Sequence, residues 1–176
     1  MVENITARFG IGPMSSETIE AVYRFSNFNR KQVMLIASKN QIDHSGGYVN
    51  GWTTENYVDY TKSLKDKYSN SDILLCRDHC GPGFNGKYDL KDTYKTIEED
   101  IKNGFDLIHI DFCHHKGTNS EKLEESKKAI EFCKKINENI LIEIGTDENL
   151  GDNFAFNSIS DIQKEIDYFT SFCDPN

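Results

Sequence analysis

The chain has 176 residues, enough for one domain with a core of its own. A net charge of −9, with 28% charged residues, argues against a nucleic-acid groove and an anionic membrane surface. No apolar run approaches the roughly 18 residues that a membrane span needs.

The N-terminus, MVENITARFG, lacks the basic-then-apolar order of a signal peptide. Five cysteines, at 76, 80, 113, 133 and 173, form no CxxC pair. Reduced thiols in a cytoplasmic protein are the simplest expectation.

In chain order, ITARFGIG (5–12) reads as a weak first strand. SSETIEAVYRF follows as a helix, opened by serine caps and first-turn acidic residues. VMLIA (33–37) is a buried strand. After the polar loop NQIDHSGGYVNGW (40–52), TTENYVDYTKSLKDKY is a helix with Tyr57, Tyr60, Leu64 and Tyr68 on one face.

ILLC (73–76) is the third strand. LKDTYKTIEEDIKNG stripes Leu90, Tyr94, Ile97 and Ile101 and stops at Gly104. LIHIDF (107–112) and ILIEI (140–144) are further strands around the helix SEKLEESKKAIEFCKKI, which lines up Leu123, Ile130 and Cys133. After the loop 145–157, SISDIQKEIDYFTSF begins with a Ser158/Asp161 capping box.

Near-continuous apolarity fits strands buried on both faces, and βα alternation implies parallel strands with right-handed crossovers. No linker divides the chain. The polar chemistry falls at the trailing strand ends: Lys39-Asn40-Gln41, Asp78-His79, Asp111 with His114-His115, and Glu143. That edge carries the active site in both barrels and open α/β sheets.

At Asp78-His79 the aspartate suits proton transfer and the histidine suits a divalent metal; a turn-capping Asp and a backbone-bonded His fit the same spacing. Gly81-Pro82-Gly83 then makes a tight turn that brings backbone near a ligand. Glu143, inside an apolar strand, is expensive unless paired, protonated or metal-bound. Asp111 is placed to face the site. His109 reads as a core histidine, at most one of His114 and His115 as a ligand, and His44 as solvated. In the 40–52 loop, Asn40, Gln41, Gly46 and Gly47 offer amides that suit an oxyanion or sugar hydroxyls, or form an ordinary βα loop. Cys76, Cys80 and Cys113 flank the same edge, where apolar filler is the simpler role than a thiolate metal site.

VMLIASKNQIDHSGGYVNGWTTENYVDYTKSL, followed by ILLCRDHCGPGF, resembles the accessory (non-catalytic) subunit family of class II tagatose-bisphosphate aldolase. The matching residues are Ser38, Asn40, Gln41, Gly46, Gly47 and Tyr48, then Asp78, His79, Gly81 and Pro82. A wider resemblance is to class II ketose-bisphosphate aldolases, which are TIM barrels. It implies Asp78 as acid/base, His79 as a zinc ligand and Glu143 as a further metal-site carboxylate; from their place at the strand ends, Asn40, Gln41, Gly46, Gly47 and Asp111 are expected against substrate. Arg77, Cys80 and Ala37 depart from the family's Gly, Leu and Glu.

The expectation is therefore an α/β protein: a partial (β/α)8 TIM barrel of five βα units with parallel strands in sequential order. Residues 1–176 are the N-terminal part of one aldolase-type domain. The resemblance implies sugar-phosphate metabolism, a sugar-phosphate substrate, a catalytic aldolase partner and an oligomer. An independent metal-dependent sugar-phosphate lyase or isomerase is the alternative function, and a vestigial structural subunit is a third. A flavodoxin-like doubly wound sheet is the alternative fold, decided by whether strand order reverses after the first strand.

Overall fold

The computed structural model describes residues 5–145 and 159–173. The elements alternate as β1 (Gly10–Ile11), α1 (Ser16–Asn29), β2 (Gln32–Ser38), α2 (Thr54–Lys67), β3 (Asp72–Cys80), α3 (Leu90–Asn103), β4 (Leu107–Ile110), α4 (Asn119–Ile136), β5 (Leu141–Ile144) and α5 (Ile159–Thr170). All pairings are parallel and the sheet order is β1-β2-β3-β4-β5. This sequential order is that of a barrel wall, and it excludes the reversal of a doubly wound sheet. The wall is open, with β1 and β5 at its edges.

The helix ends follow local chemistry. Ser15 accepts from the Thr18 N–H, and Thr53 and Thr118 close capping boxes with Asn56 and Glu121. Gly104 ends α3 with φ 98°, a left-handed cap that other residues adopt at a cost. The capping box expected at Ser158/Asp161 lies outside the described residues.

Two strands differ from expectation. The first is shorter: at residues 6 and 7 the backbone N–H groups donate to Gln32 Oε1, at 2.8 and 3.1 Å, so a side chain replaces the ladder. The third is longer, because Arg77, Asp78, His79 and Cys80 continue it.

Alternation sorts the sheet into two faces. Val33, Leu35, Ala37, Ile108 and Ile110 are buried and point outward to the helices, where they meet Ile19, Val22, Tyr57, Ile97 and Ile130. In-register neighbours share a face, so Met34 with Leu74, Ile36 with Cys76 and Leu107, and His109 with Glu143 line the inner side.

The outer layer holds one large polar group. Arg77 is fully buried, with its Nε and Nη2 donating to Asp100 at 2.5 and 2.8 Å. Its Nη1 donates to the carbonyls of Ala37 and Ile42 at 2.9 and 2.7 Å. Thr54 Oγ1 donates to Asp100 at 3.0 Å, and the guanidinium lies 5.3 Å from the Phe105 ring centroid. Burial pushes the Asp100 carboxyl up, and the bidentate guanidinium opposes this; the geometry is that of an ionised pair. The pair accounts for Asp100 on the buried face of α3, and Thr96 is there because its hydroxyl donates to Asp43 at 2.7 Å; with Thr93 they make this face more polar than the apolar stripe expected for it. One guanidinium thus joins β2, β3, the 40–52 loop and α3.

Removing one partner strands a buried charge. Asp100→Ala is expected to cost about 3–5 kcal/mol in urea unfolding, and Arg77→Met combined with Asp100→Leu to recover most of it.

Candidate functional site

The site is made by an irregularity in β3. Arg77 pairs with Ile108 and Cys80 with Ile110, so three steps on β3 meet two on β4. The extra residue is accommodated at His79, whose φ is 45°, a left-handed conformation uncommon outside glycine. Strict alternation would send Asp78 inward and His79 outward. The bulge places Asp78 and His79 together at the inner rim and returns Cys80 to the helix layer, where it is fully buried. Close packing holds the turn that follows: a Cβ on Gly81 would lie 1.5 Å from the Asp111 carbonyl oxygen, so only glycine fits.

Three side chains gather there. His79 Nδ1 donates to Asp111 Oδ2 at 2.8 Å, and Asp111 is 1% exposed, its other oxygen accepting from the Cys113 N–H at 2.9 Å. That bond fixes the His79 tautomer and leaves the Nε2 lone pair free, 3.8 Å from Asp78 Oδ1. His109 Nδ1 lies 3.5 Å from the same oxygen and 3.2 Å from the His79 backbone nitrogen: without a proton it accepts from the His79 N–H, and with one it donates to Asp78. Ligand atoms of Asp78, His79 and His109 all lie within 4.8 Å of one another, a grouping able to hold a metal ion. Phe84 walls the site, stacked on His79 at 4.6 Å and lying 4.7 Å from the His114 ring.

The electrostatics follow from the crowding of carboxylates. The His109 hydrogen bond holds the Asp78 carboxyl below its usual value, against the opposing effect of burial. Burial resists charging His109, but Asp78, Glu143 and Asp111 outweigh it and raise its pKa. Burial pushes the Cys76 thiol up to about 12, so this sulfur is inert filler. All five cysteines are free.

The expected site residues divide into groups. Asp78, His79 and Asp111 are brought together, with Asp111 behind His79 as its orienting carboxylate. Glu143 is exposed on β5 beside its register partner His109. Asn40 and Gln41 spend their side chains internally: Asn40 Nδ2 donates to the Phe84 carbonyl at 2.8 Å, and Gln41 Oε1 accepts from the Ser38 N–H at 2.9 Å. Gly46 has φ 94°, and a Cβ on Gly47 would meet the Gln41 carbonyl oxygen at 2.1 Å, so both glycines shape the rim loop. His114 and His115 lie outside the ligand group.

His109 was expected in the core, yet it shares the inner face with Asp111. The alternation Leu107, His109, Asp111 against Ile108, Ile110, Phe112 carried that signal.

A second polar group lies in the helix layer. Asp92 accepts from Lys39 at 2.9 Å, Lys87 at 3.1 Å, Asn85 at 3.1 Å and His44 Nε2 at 3.0 Å. Asp43 accepts from Thr96 at 2.7 Å and Asn85 at 3.2 Å. Asp43, His44 and Asp92 have metal-ligand spacing, but the two lysines already supply the positive charge. His44 is half-buried in this network instead of solvated, and Lys39, expected at the mouth, reaches back into it.

Comparison with known proteins follows the same lines. The family described as "D-tagatose-1,6-bisphosphate aldolase subunit GatZ/KbaZ-like" matches residues 8–146. The chain belongs to this family. The subunit GatZ of Escherichia coli strain K12 is 28% identical over 99 residues, covering 53% of this chain and 23% of the relative. GatZ of Shigella boydii serotype 18 is 27% identical over the same coverage. The chain thus spans about a quarter of the length of these GatZ relatives. A structure titled as a probable tagatose 6 phosphate kinase from Sinorhizobium meliloti superposes with a TM-score of 0.71 at 19% identity, covering 93% of this chain and 43% of that one. That likeness supports the parallel, barrel-type order of the GatZ/KbaZ-like wall. No helix among the described residues is long and apolar enough to cross a membrane.

The raised His109 value sets a sign. Its contribution to stability is fully present below the unfolded histidine pKa near 6.5 and is lost as pH rises through the higher folded value. In metal-free protein, an NMR titration is expected to place the His109 ring above 6.5, and Asp78→Asn to lower it.

Proposed function

We propose that this chain acts in sugar-phosphate metabolism as an accessory subunit of a tagatose-bisphosphate aldolase, supporting a catalytic aldolase partner. The observation that carries the reading is the GatZ/KbaZ-like match across residues 8–146, which includes the rim loop and the Asp78–His79 strand end. The word "subunit" in the relatives' names supports an assembly. Residues 1–176 are then the N-terminal part of one aldolase-type barrel domain, in keeping with the sequential strand order. The partner, an oligomeric assembly and a cytoplasmic setting belong to this reading.

The rim fits a divalent cation, zinc by the family's chemistry. The free Nε2 of His79, its tautomer held by Asp111, is a donor of the kind such an ion takes, with the Asp78 carboxylate beside it. An ion there supplies Lewis-acid polarisation of a bound carbonyl oxygen. The chain's own groups have separate parts: Asp78 holds or moves a proton, Asp111 orients His79, and Glu143 adds negative charge at the mouth. The amide-rich loop through Asn40, Gln41, Gly46 and Gly47 frames the entrance for a sugar phosphate.

Co-expression of the chain with a catalytic class II tagatose-bisphosphate aldolase subunit tests the accessory role. The expected result is a co-purifying complex and a several-fold longer half-life of aldolase activity at growth temperature. A catalytic subunit of unchanged half-life that elutes alone overturns it.

A further inference from the structure

We propose that a second copy of this chain docks head to tail on the first, the exposed isoleucine stripe of α5 in one copy seating on the phenylalanine face of α1 in the next. The proposal gives surfaces to the oligomeric assembly named above and does not rest on the accessory-subunit role.

Unpartnered apolar faces stand at both ends of the wall. On the β1 side, Phe28 is 87% exposed, and the exposed rings of Phe9 and Phe25 meet edge-on with centroids 5.9 Å apart. A hollow of about 430 Å³ opens beside them, lined by Ala21, Phe25, Phe28 and Tyr68. On the β5 side, helical spacing puts Ile159, Ile162, Ile166 and Phe169 on one face of α5. Phe169 is buried in the core, whereas Ile159 is 86% exposed and Ile162 and Ile166 are exposed with it. A contiguous apolar row of this kind marks an interaction surface, unlike a single exposed side chain.

Charge selects the occupant. Arg24 lines the hollow, Arg8 adjoins Phe9, and Arg30 and Lys31 follow the end of α1; all four are exposed. None of them is in an ion pair among the described residues, and Glu20 on the same helix is already held by Lys67 at 2.7 Å. A partner that fits this face is apolar and acidic. The segment 159–173 is both, with three carboxylates against one lysine beside its isoleucines.

The sheet edges agree with this pairing. All strands run parallel, and β1 and β5 are the two open edges. The unpaired backbone groups of an edge strand template pairing with another chain. Setting β5 of one copy beside β1 of the next continues the sheet in one direction and brings α5 alongside α1 in the helix layer. Two different patches meet, so the interface is heterologous.

Sedimentation velocity of the full chain is the test. The wild-type chain is expected to self-associate. Two variants, each damaged on one face, are Arg24→Glu with Phe28→Ser and Ile159→Ser with Ile162→Ser. Each alone is expected to associate about tenfold more weakly or worse. Mixed, they are expected to form a one-to-one complex that neither forms alone, because the intact α5 of the first meets the intact α1 of the second. A contact between two copies of the same face gives no such recovery. A mixture that stays monomeric overturns the proposal, as does a monomeric wild-type chain or undiminished association in either variant. Thermal unfolding of each variant separates a lost surface from a lost fold. As a milder pair, Arg24→Glu is expected to weaken association about threefold and Arg24→Lys to leave it unchanged; equal affinities in that pair overturn the charge argument. Co-purification with a catalytic aldolase subunit is read separately, so either idea fails alone.

Discussion

The structure turns on the buried Arg77–Asp100 pair. A guanidinium in the layer between sheet and helices is tolerable only because its N–H groups are used: two bonds go to one carboxylate and two to the carbonyls of Ala37 and Ile42. Those carbonyls belong to the end of β2 and the start of the rim loop, and the carboxylate belongs to α3. The end of β3 is therefore pinned on its outer side just before its backbone departs from regular geometry. A small apolar residue at position 77 would leave the same bulge with far less to hold it.

The bulge is the second constraint, and it acts on direction. A regular strand can present Asp78 or His79 to the inner face, never both. The unpaired residue beside β4, at a positive φ, brings the two side chains to one rim. Asp111 then completes the arrangement from the next strand by fixing which nitrogen of His79 keeps its proton. Strain in one residue is held by packing on both sides: Arg77 behind it, and the close approach of Gly81 to Asp111 ahead of it.

The two polar clusters show how similar residue types acquire different chemistry. Asp43, His44 and Asp92 sit among Lys39, Lys87, Asn85 and Thr96, and every strong acceptor is matched. That group ties the rim loop and the 81–88 turn to the start of α3. Asp78, His79 and His109 face the inner side, where Asp78 meets the two imidazoles and Asp111 holds His79. The first arrangement is satisfied as it stands; the second leaves the Nε2 of His79 beside the Asp78 carboxylate.

Much of this was legible in the sequence. Alternating apolar strands and capped amphipathic helices determined a parallel βα order, because the period of apolar residues and the cap chemistry are local properties. The shared direction of the parallel strands then put Asp78, His79, Asp111 and Glu143, all at trailing strand ends, at a single sheet edge. Direction within that edge was not legible. Whether His79 faces inward depends on a bulge set by pairing with β4; whether Lys39 points to the mouth or back to Asp92 depends on where α3 packs. The place of His109 beside Asp78 and the internal use of the Asn40 and Gln41 amides are likewise decided between strands. The sequence by itself determined the elements, their order and the edge that carries the chemistry. Only the tertiary structure decided which side chains meet, because cross-strand register and buried charge pairing are relations between segments that no single segment encodes.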